Sequence, residues 1–570
     1  MKPNSFLILH GRSSAEMPDA VYAGKATSLL VHGANPRFIT IKQDQRGFEL
    51  FIGEAHQKTR PESSPLQFPA GTRITLSEET GTLTIKCDRL GTATVYWRTD
   101  GNTLQVSNRK ENLLAVEDEP DWSSIQQYLY TGFTIKASTF IKDIAQTEPN
   151  TVLTASSSPT LNVTLSKRTI LPSNTAFGGT DLIDKIADQL SRTLSLTTPS
   201  VLMMSAGWDS RTLLTQGTSN LTGAYTHGDL SSREISLARK LTGEQRLDHL
   251  FVDVKSCSIT PSLIDTMLQQ LGSALFPIWF IAAQNIQNWK DSPLMSGVLG
   301  ELLGGHYGLM SWGSRTQKLA SSLLLLNDCL VNEHQIQNSI DRYCSPPQSH
   351  WFTSNYGQEI LDLNRDETTT RSKETIQQYY RETGDWQRAL EEFNMAHRAR
   401  QYILKQGQAA SSTAGYTIPF ADEHLSDLVR ALDFKRRIHN KANQRILKSK
   451  HPALLQTPMA ATLIAARHPI LFQELSRFFR IARENFSLAI GRKKPRLGWF
   501  NYEHLYKEGL LHSLTDTLTS DFWDKDKMHT TLRSNPNNQI DAGSTLDMIC
   551  KIKTVDHNLA TLHSAGKRAN

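Results

Sequence analysis

Cysteine is scarce in this chain. Five residues in 570, Cys87, Cys257, Cys329, Cys344 and Cys550, are scattered with no metal-type spacing. An odd and sparse set argues against a disulfide framework and fits reduced thiols in a cytoplasm. Long hydrophobic runs are missing as well. Phe6 to Leu9 falls short of the roughly 7–15 residues of a signal-peptide core. The most apolar later stretch, Ala274 to Ala283, is about half of the ~20 residues that a bilayer requires. No charge of one sign dominates, because 62 basic and 56 acidic residues leave only +6. That excess is too mild for a dedicated nucleic-acid surface. Neither the Walker pattern nor the dinucleotide Gly-x-Gly-x-x-Gly pattern accounts for the glycines of the most site-like turn. No internal repeat is visible, and low complexity is confined to short Ser/Thr patches. These absences predict a soluble, cytoplasmic protein with no membrane span and no nucleic-acid partner.

What is present is globular. At 38% apolar and 21% charged residues the composition is that of a packed protein, and 570 residues suggest two or three domains. Up to about Val163, short runs of Thr, Val, Ile and aromatics recur at period two between Gly-Thr and Asp-Gly turns. Phe38–Ile41, Arg73–Leu76, Thr82–Ile85 and Thr94–Trp97 are examples, and they predict strands and hairpins. One helix is expected at Asp121–Tyr130, and Ser156–Thr169 reads as an exit hairpin or linker. Helical periodicity begins at Asp181–Leu194, with Leu182, Ile183, Ile186, Leu190 and Leu194 on one face. Strands at 201–204, Gly223–Thr226 and His249–Val254 then alternate with a helix at Ser232–Leu241, which predicts βαβ units and a parallel sheet. Beyond residue 260 helix dominates: Leu263–Leu271, Leu319–Leu330, Thr375–Gln401, Leu425–Leu432 and Ile438–Leu447.

Val201 to Leu214 is the stretch most suited to chemistry. An apolar strand stops at Ser205, a compact Ser-Ala-Gly-Trp-Asp-Ser turn follows, and a helix starts. That arrangement presents unpartnered amides to an anion. Two hydroxyls and one carboxylate in the turn suit a polyphosphate with its metal. The plainer alternative is a structural turn capped by Asp209 or Ser210.

The turn resembles the Ser-Gly-Gly-x-Asp-Ser loop of the PP-loop ATP pyrophosphatases, with Ala206 in place of the first glycine. Four more segments follow the order found in one branch of that group. Asp88 to Trp97, with Leu104–Asn108 and Leu113-Leu114, resembles the Asp-x-x-Gly-x-x-Pro-Leu-Tyr strand and following turn of asparagine synthetases. Thr226 to Glu234, with Ala238-Arg239, is similar to their second synthetase strand and its glutamate-bearing helix. Ser296 to His306 is similar to Gly-x-Asp-Glu-x-x-Gly-Gly-Tyr, and Ile418 to Leu425 to Pro-Phe-x-Asp-x-x-Leu. Over roughly residues 80 to 450 the chain resembles the asparagine synthetase-like ATP-dependent amide ligases, which include β-lactam synthetases and lasso-peptide cyclases.

The resemblance implies an α/β protein: a degenerate, β-rich N-terminal nucleophile-hydrolase-like domain over residues 1–165, a PP-loop synthetase domain with a parallel sheet over 175–450, and a helical extension over 451–570. It implies ATP and Mg²⁺ as cofactors, adenylation of a carboxylate with release of pyrophosphate, and attack by an amine or ammonia. By the same resemblance Ser205, Gly207, Asp209 and Ser210 cradle pyrophosphate, with Asp209 as a Mg²⁺ ligand. Met203, His227, Gly228 and Gly297 flank the nucleotide. Glu301 is the second catalytic and metal-binding carboxylate.

Three departures bear on activity. Glutamine-hydrolysing members carry a nucleophilic cysteine after the initiator methionine, but here Lys2 stands there and no cysteine precedes Cys87. Gly300 replaces the aspartate of the family's Asp-Glu pair. The transition-state lysine has no assigned counterpart, with Lys441, Lys448, Lys450 and Arg467 as candidates. The expectation is therefore a ligase without its own glutaminase. A nucleotide-binding scaffold and a PP-loop tRNA-modifying enzyme are the alternatives. Trp208 reads either as a wall of the site or as core. The basic run Gly491–Arg496 reads as a solvated loop, or as a contact with an anionic substrate or carrier.

Overall fold

The period-two segments of the first 167 residues pair into two antiparallel sheets of six strands each, and together these form one hydrophobic layer. In the computed structural model, residues 5–11, 19–33, 38–53, 70–157, 160–167, 179–216, 220–230, 232–254, 258–286, 289, 291–308, 333–346, 352–410, 415–490, 509–533 and 542–567 are described. The strands are β1 (Ser5–Gly11), β2 (Tyr22–Ala23), β3 (Thr27–His32), β4 (Ile39–Asp44), β5 (Gly47–Gly53), β6 (Gly71–Ser77), β7 (Thr82–Cys87), β8 (Tyr96–Thr99), β9 (Thr103–Ser107), β10 (Ala145–Gln146), β11 (Thr151–Ser156) and β12 (Asn162–Lys167). One sheet runs β10-β8-β9-β1-β3-β2 and the other β12-β11-β7-β6-β5-β4. Alternate residues of each strand point inward. Phe6, Ile8, Leu29, Leu104 and Val106 of the first sheet meet Leu50, Ile74, Leu83, Ile85 and Leu153 of the second in one buried cluster. The strand expected at Thr94–Trp97 begins only at Tyr96, because the Val95 N–H and C=O both bond to Thr147 instead of a ladder. The hairpin β11–β12 occupies the described part of the expected exit segment.

The helix expected after Asp121 is α1 (Trp122–Thr131). The Asp121 carboxylate caps it by accepting from the Ser124 amide, and Gly132 ends it in the left-handed region. Next come α2 (Gly179–Leu196), β13 (Ser200–Met203), α3 (Trp208–Gln216), β14 (Leu221–Gly228), α4 (Arg233–Glu244) and β15 (His249–Asp253). Then follow α5 (Pro261–Leu271), α6 (Pro277–Gln284), β16 (Leu294–Met295) and β17 (Tyr416–Thr417). The five strands β15-β14-β13-β16-β17 pair in parallel throughout. The chain is thus α/β, with an antiparallel β-rich N-terminal region, a parallel sheet and many helices after it.

Strand order positions the site. From β13 the chain moves outward through β14 to the β15 edge, then returns to β13's other side as β16. Loops leaving the carboxyl ends of two neighbouring strands at such a switch point diverge, and the crevice between them is where parallel sheets bind ligands. Here those loops are the one after β13, which holds Ser205–Ser210, and the one after β16, which holds Gly297–Glu301.

Two expected helices have different bounds. Thr375–Gln401 is not one helix. Asn355–Thr383 ends at Gly384, whose φ is +68°, and Asp385 caps the next helix, Trp386–Phe393, which runs into a π-helical stretch at Asn394–Ile403. The segment expected as a helix from Ile438 becomes regular only at Lys441, because His439 and Asn440 are both left-handed, with φ of 57° and 61°. The Leu319–Leu330 helix, Lys2, Cys257, Cys329 and the Gly491–Arg496 run lie outside the described residues. Cys87, Cys344 and Cys550 are buried thiols outside any disulfide. Among the described residues no helix is long and apolar enough to cross a membrane.

One buried ion pair ties the β16 loop to the helices. The Arg437 guanidinium donates to both Glu391 oxygens at 2.5 and 2.9 Å and to the carbonyls of Leu302 and Leu432. The two side chains are 3% and 4% exposed. Breaking such a pair leaves an uncompensated buried charge, so Arg437→Met should cost about 3–5 kcal/mol in urea unfolding. The double variant Arg437→Met/Glu391→Leu should recover much of that loss, and a double variant no better than the single would refute this reading.

Candidate active site

The loop after β13 is held from inside by Arg211, whose side chain is fully buried. Its guanidinium donates to the carbonyls of Ala206, Leu454, Thr457 and Pro458 at 3.0–3.2 Å. Burial lowers its pKa to about 10, with Glu234 and Glu244 opposing that shift, so it stays charged at neutral pH. Ser205 and Ser210 join through their hydroxyls at 2.7 Å, and the Ser210 hydroxyl also receives the Ser205 amide. The Gly207 amide donates to Ser205 Oγ, and the Ala206 amide to Glu234 Oε2, both at 3.0 Å. Three loop amides are therefore bonded within the protein. The amides of Trp208, Asp209 and Ser210 open α3 and have no intrahelical acceptor.

Across from this turn, Ser296 leaves β16 and Leu299 adopts a left-handed conformation with φ of 71°. Gly300–Leu302 then form a single 3-10 turn. The two loops approach to contact because Gly297 and Gly300 have no side chains. A Cβ on Gly297 would stand 3.0 Å from Asp209 Cβ, and one on Gly300 would stand 2.5 Å from Asp209 Cγ. An aspartate at position 300, as in the family pattern, has no room in this arrangement.

Asp209 and Glu301 thus lie near enough for the charge of one to act on the other. Burial raises the Asp209 pKa well above its usual value, the nearby Glu301 carboxylate adds to the rise, and Asn443 opposes it. The Asn443 amide sits 3.5 Å from Asp209 Oδ1 and is itself held by Asn440 and Thr212. Burial also raises the Glu301 pKa, against its bond from the Tyr307 hydroxyl at 3.1 Å and the charge of Arg398. Like charges at close quarters in a half-buried crevice require a proton or a cation. Among the described residues no group of three or more His, Cys, Asp or Glu side chains is arranged around a metal ion. Two carboxylates nevertheless fit Mg²⁺, which takes one or two from the protein and completes its shell with phosphate oxygens and water.

The other expected residues fall around this pair. Met203 is buried at the end of β13. His227 and Gly228 end β14; the His227 ring is buried edge-on to Trp279 at 4.7 Å, and burial lowers its pKa to about 4. His227 thus lies on strand β14, with its ring in the interior. Trp208 packs against the cluster of Leu447, Leu455, Met459 and Ala466. Among the cation candidates, Lys450 pairs with Asp188 at 3.3 Å, and Lys448 and Arg467 are exposed. Lys441 opens the helix that carries Asn443, and its ammonium donates to the Lys435 carbonyl. Arg211, Tyr307, Asn440 and Asn443 carry no motif, so sequence reasoning assigned them no role. The left-handed residues near them, Leu299, His439 and Asn440, are visible only in three dimensions.

No family model matches the chain, and no curated protein matches it. Similar solved structures include the glutamine phosphoribosylpyrophosphate amidotransferase from B. subtilis complexed with ADP and GMP, at 10% identity and a TM-score of 0.16. That match covers 44% of this chain and 60% of the other, less than two thirds of its length. At that TM-score it carries no argument about fold or function.

The carboxylate pair has a pH signature. A raised folded-state pKa at Asp209 contributes stability that is fully present below the unfolded value and lost as pH rises through the folded one. A divalent cation replaces the proton. The rise in Tm on adding Mg²⁺ should therefore grow as pH rises above the ordinary carboxylate range and be absent in Asp209→Asn. A Mg²⁺ effect that is flat with pH, or unchanged in the variant, would contradict this site. Gly300→Ala should lower stability by about 1–3 kcal/mol, because the added methyl meets the Asp209 carboxylate.

Proposed function

We propose that the chain is an ATP-dependent carbon–nitrogen ligase of the asparagine synthetase-like type, adenylating a carboxylate and forming an amide or lactam bond without its own glutaminase. The observation that carries this reading is the meeting of Asp209 and Glu301 at the switch point of the parallel sheet, below a hydroxyl-lined turn that opens a helix. Polyphosphate chemistry needs such a place: helix amides and hydroxyls for the phosphates, and two carboxylates for the metal that spreads their charge. The α3 amides and the hydroxyls of Ser205 and Ser210 would hold the pyrophosphate end of ATP. Gly207 keeps the turn open to it, and Met203 with the end of β14 would border the nucleoside. Bound Mg²⁺ would supply Lewis-acid stabilisation of the leaving pyrophosphate, held by Asp209 and Glu301.

The two-sheet N-terminal region would be a degenerate amidotransferase-like domain. The nitrogen would then come from free ammonia or from an amine on a second or the same substrate, and the ATP-rich cytoplasm is the compartment that suits the reaction. One observation favours a second reading, a nucleotide-binding scaffold. Three of the loop amides are already bonded within the protein, and the family's aspartate is Gly300.

The two readings separate in one assay. Purified protein with Mg²⁺, ATP and a panel of small carboxylates plus ammonia should release AMP and pyrophosphate, and Asp209→Asn should lower the rate by about 10²–10³-fold. ADP as the nucleotide product would exclude adenylation. ATP binding without turnover on any carboxylate would favour the scaffold.

A further inference from the structure

A second cavity of about 660 Å³ lies where the two-sheet region meets the later helices, and no residue of the Asp209–Glu301 site lines it. Its volume is that of a small-molecule site. Four cationic side chains reach it: Arg109 and Lys110 from the turn after β9, and Arg400 and Lys405 from the π-helical stretch and the helix that follows. Glu111 is the one acidic residue of the lining. Arg109 donates to the Gln270 carbonyl and the Lys110 ammonium lies 4.9 Å from the Phe140 ring centroid, but clustering like charges around a partly apolar void is otherwise unfavourable.

Arg400 supplies the second observation. It is 4% exposed, and although its Nη2 donates to Thr147 O, Gln146 Oε1 and Thr94 Oγ1, its Nε and Nη1 are buried with no acceptor. Buried guanidinium N–H groups usually find acceptors, and Arg400 has two without one where Arg211, Arg430 and Arg480 each have one. The Lys405 ammonium has no acceptor among the described bonds. Burial lowers its pKa to about 8, and Lys110, Arg109 and Arg400 push the same way. The rest of the wall mixes uncharged polar groups, such as Gln146, Gln270 and Gln401, with an apolar and aromatic part formed by Ile52, Tyr96, Tyr128, Phe140 and Ile418. Ten residues of π-helix carry Arg400, a conformation that is rare and is frequently found at functional sites.

We propose that this cavity binds a small organic anion, with an apolar or aromatic body against the tyrosine and phenylalanine wall and a carboxylate or phosphate head paired with Arg400 and Lys405. The site is independent of the adenylation reading. Bonded contacts run from its walls toward the Asp209–Glu301 site: Ile418 follows β17, the partner of β16, and Asn394 of the same π-helical stretch donates to the carbonyl of Tyr307, whose hydroxyl donates to Glu301.

The test is calorimetric titration of the full chain with 3-phenylpropanoate and with phenyl phosphate, which share a body and differ in head group, and with the neutral 3-phenylpropanamide. At least one anion should bind and the amide should not, and the stronger anion identifies the head group. Asp209→Asn should bind that anion like wild type, whereas Lys405→Met should weaken it at least about tenfold, a loss of about 1.4 kcal/mol. Arg400→Gln should do the same, and should it fail to fold, Lys405→Met and Arg109→Gln carry the test. The proposal is overturned if neither anion binds at millimolar concentration, if the amide binds equally, or if Lys405→Met and Arg109→Gln both match wild type. Loss of binding in Asp209→Asn alone would place the anion in the other site. Failed pyrophosphate release with intact anion binding would refute the ligase reading and leave this one standing.

Discussion

Two carboxylates whose charges oppose each other, Asp209 and Glu301, are the constraint around which the parallel-sheet half is arranged. Left alone they repel, so the fold must force them together. It does so through strand order, which sets the β13 and β16 loops side by side, and through Gly297 and Gly300, whose missing side chains let those loops touch. Each loop is then anchored from behind by a buried arginine. Arg211 gathers four carbonyls beneath the first, and Arg437 joins Glu391 to the Leu302 carbonyl beneath the second. Strain accompanies the arrangement: Leu299, His439 and Asn440 all have positive φ and all lie beside the pair or its supporting asparagines. Backbone strain of about 1–3 kcal/mol per residue persists only where packing over-determines it, and it concentrates at working sites.

Much of this was legible in the sequence where local chemistry decides the outcome. Period-two Thr, Val and Ile predicted the N-terminal strands, and the Asp181–Leu194 stripe predicted its helix. The alternation from residue 201 predicted a parallel sheet. The Ser205–Ser210 turn was visible because strand, small residues and helix start are adjacent in the chain. What could not be read is what depends on distant partners. Gly384 sits inside an otherwise helical pattern and breaks it. The segment from Ile438 has helical periodicity, yet the Asn440 amide turns aside to the Gly304 carbonyl, more than 130 residues away in sequence. Gly300 read as the loss of a ligand. In three dimensions it is also the residue that lets Asp209 reach its neighbour.

The π-helical stretch Asn394–Ile403 lies between two charged regions of opposite sign. On one side Asn394 and Arg398 address Tyr307 and Glu301, and on the other Arg400 enters the cationic cavity. Widening the helix by one residue per turn shifts which side chains share a face, so a single element serves both. The two-sheet region borders that cavity. It supplies Arg109, Lys110 and much of the aromatic wall of that cavity.

The central claim is that Asp209 and Glu301 together hold one divalent cation beside a nucleotide. Electron paramagnetic resonance of Mn²⁺ tests it directly, because the free-ion signal disappears on binding. With ATP present, the wild-type chain should sequester one Mn²⁺ beyond what ATP alone binds, and Asp209→Asn and Glu301→Gln should each abolish that uptake. Equal Mn²⁺ uptake by wild type and both variants would contradict the account.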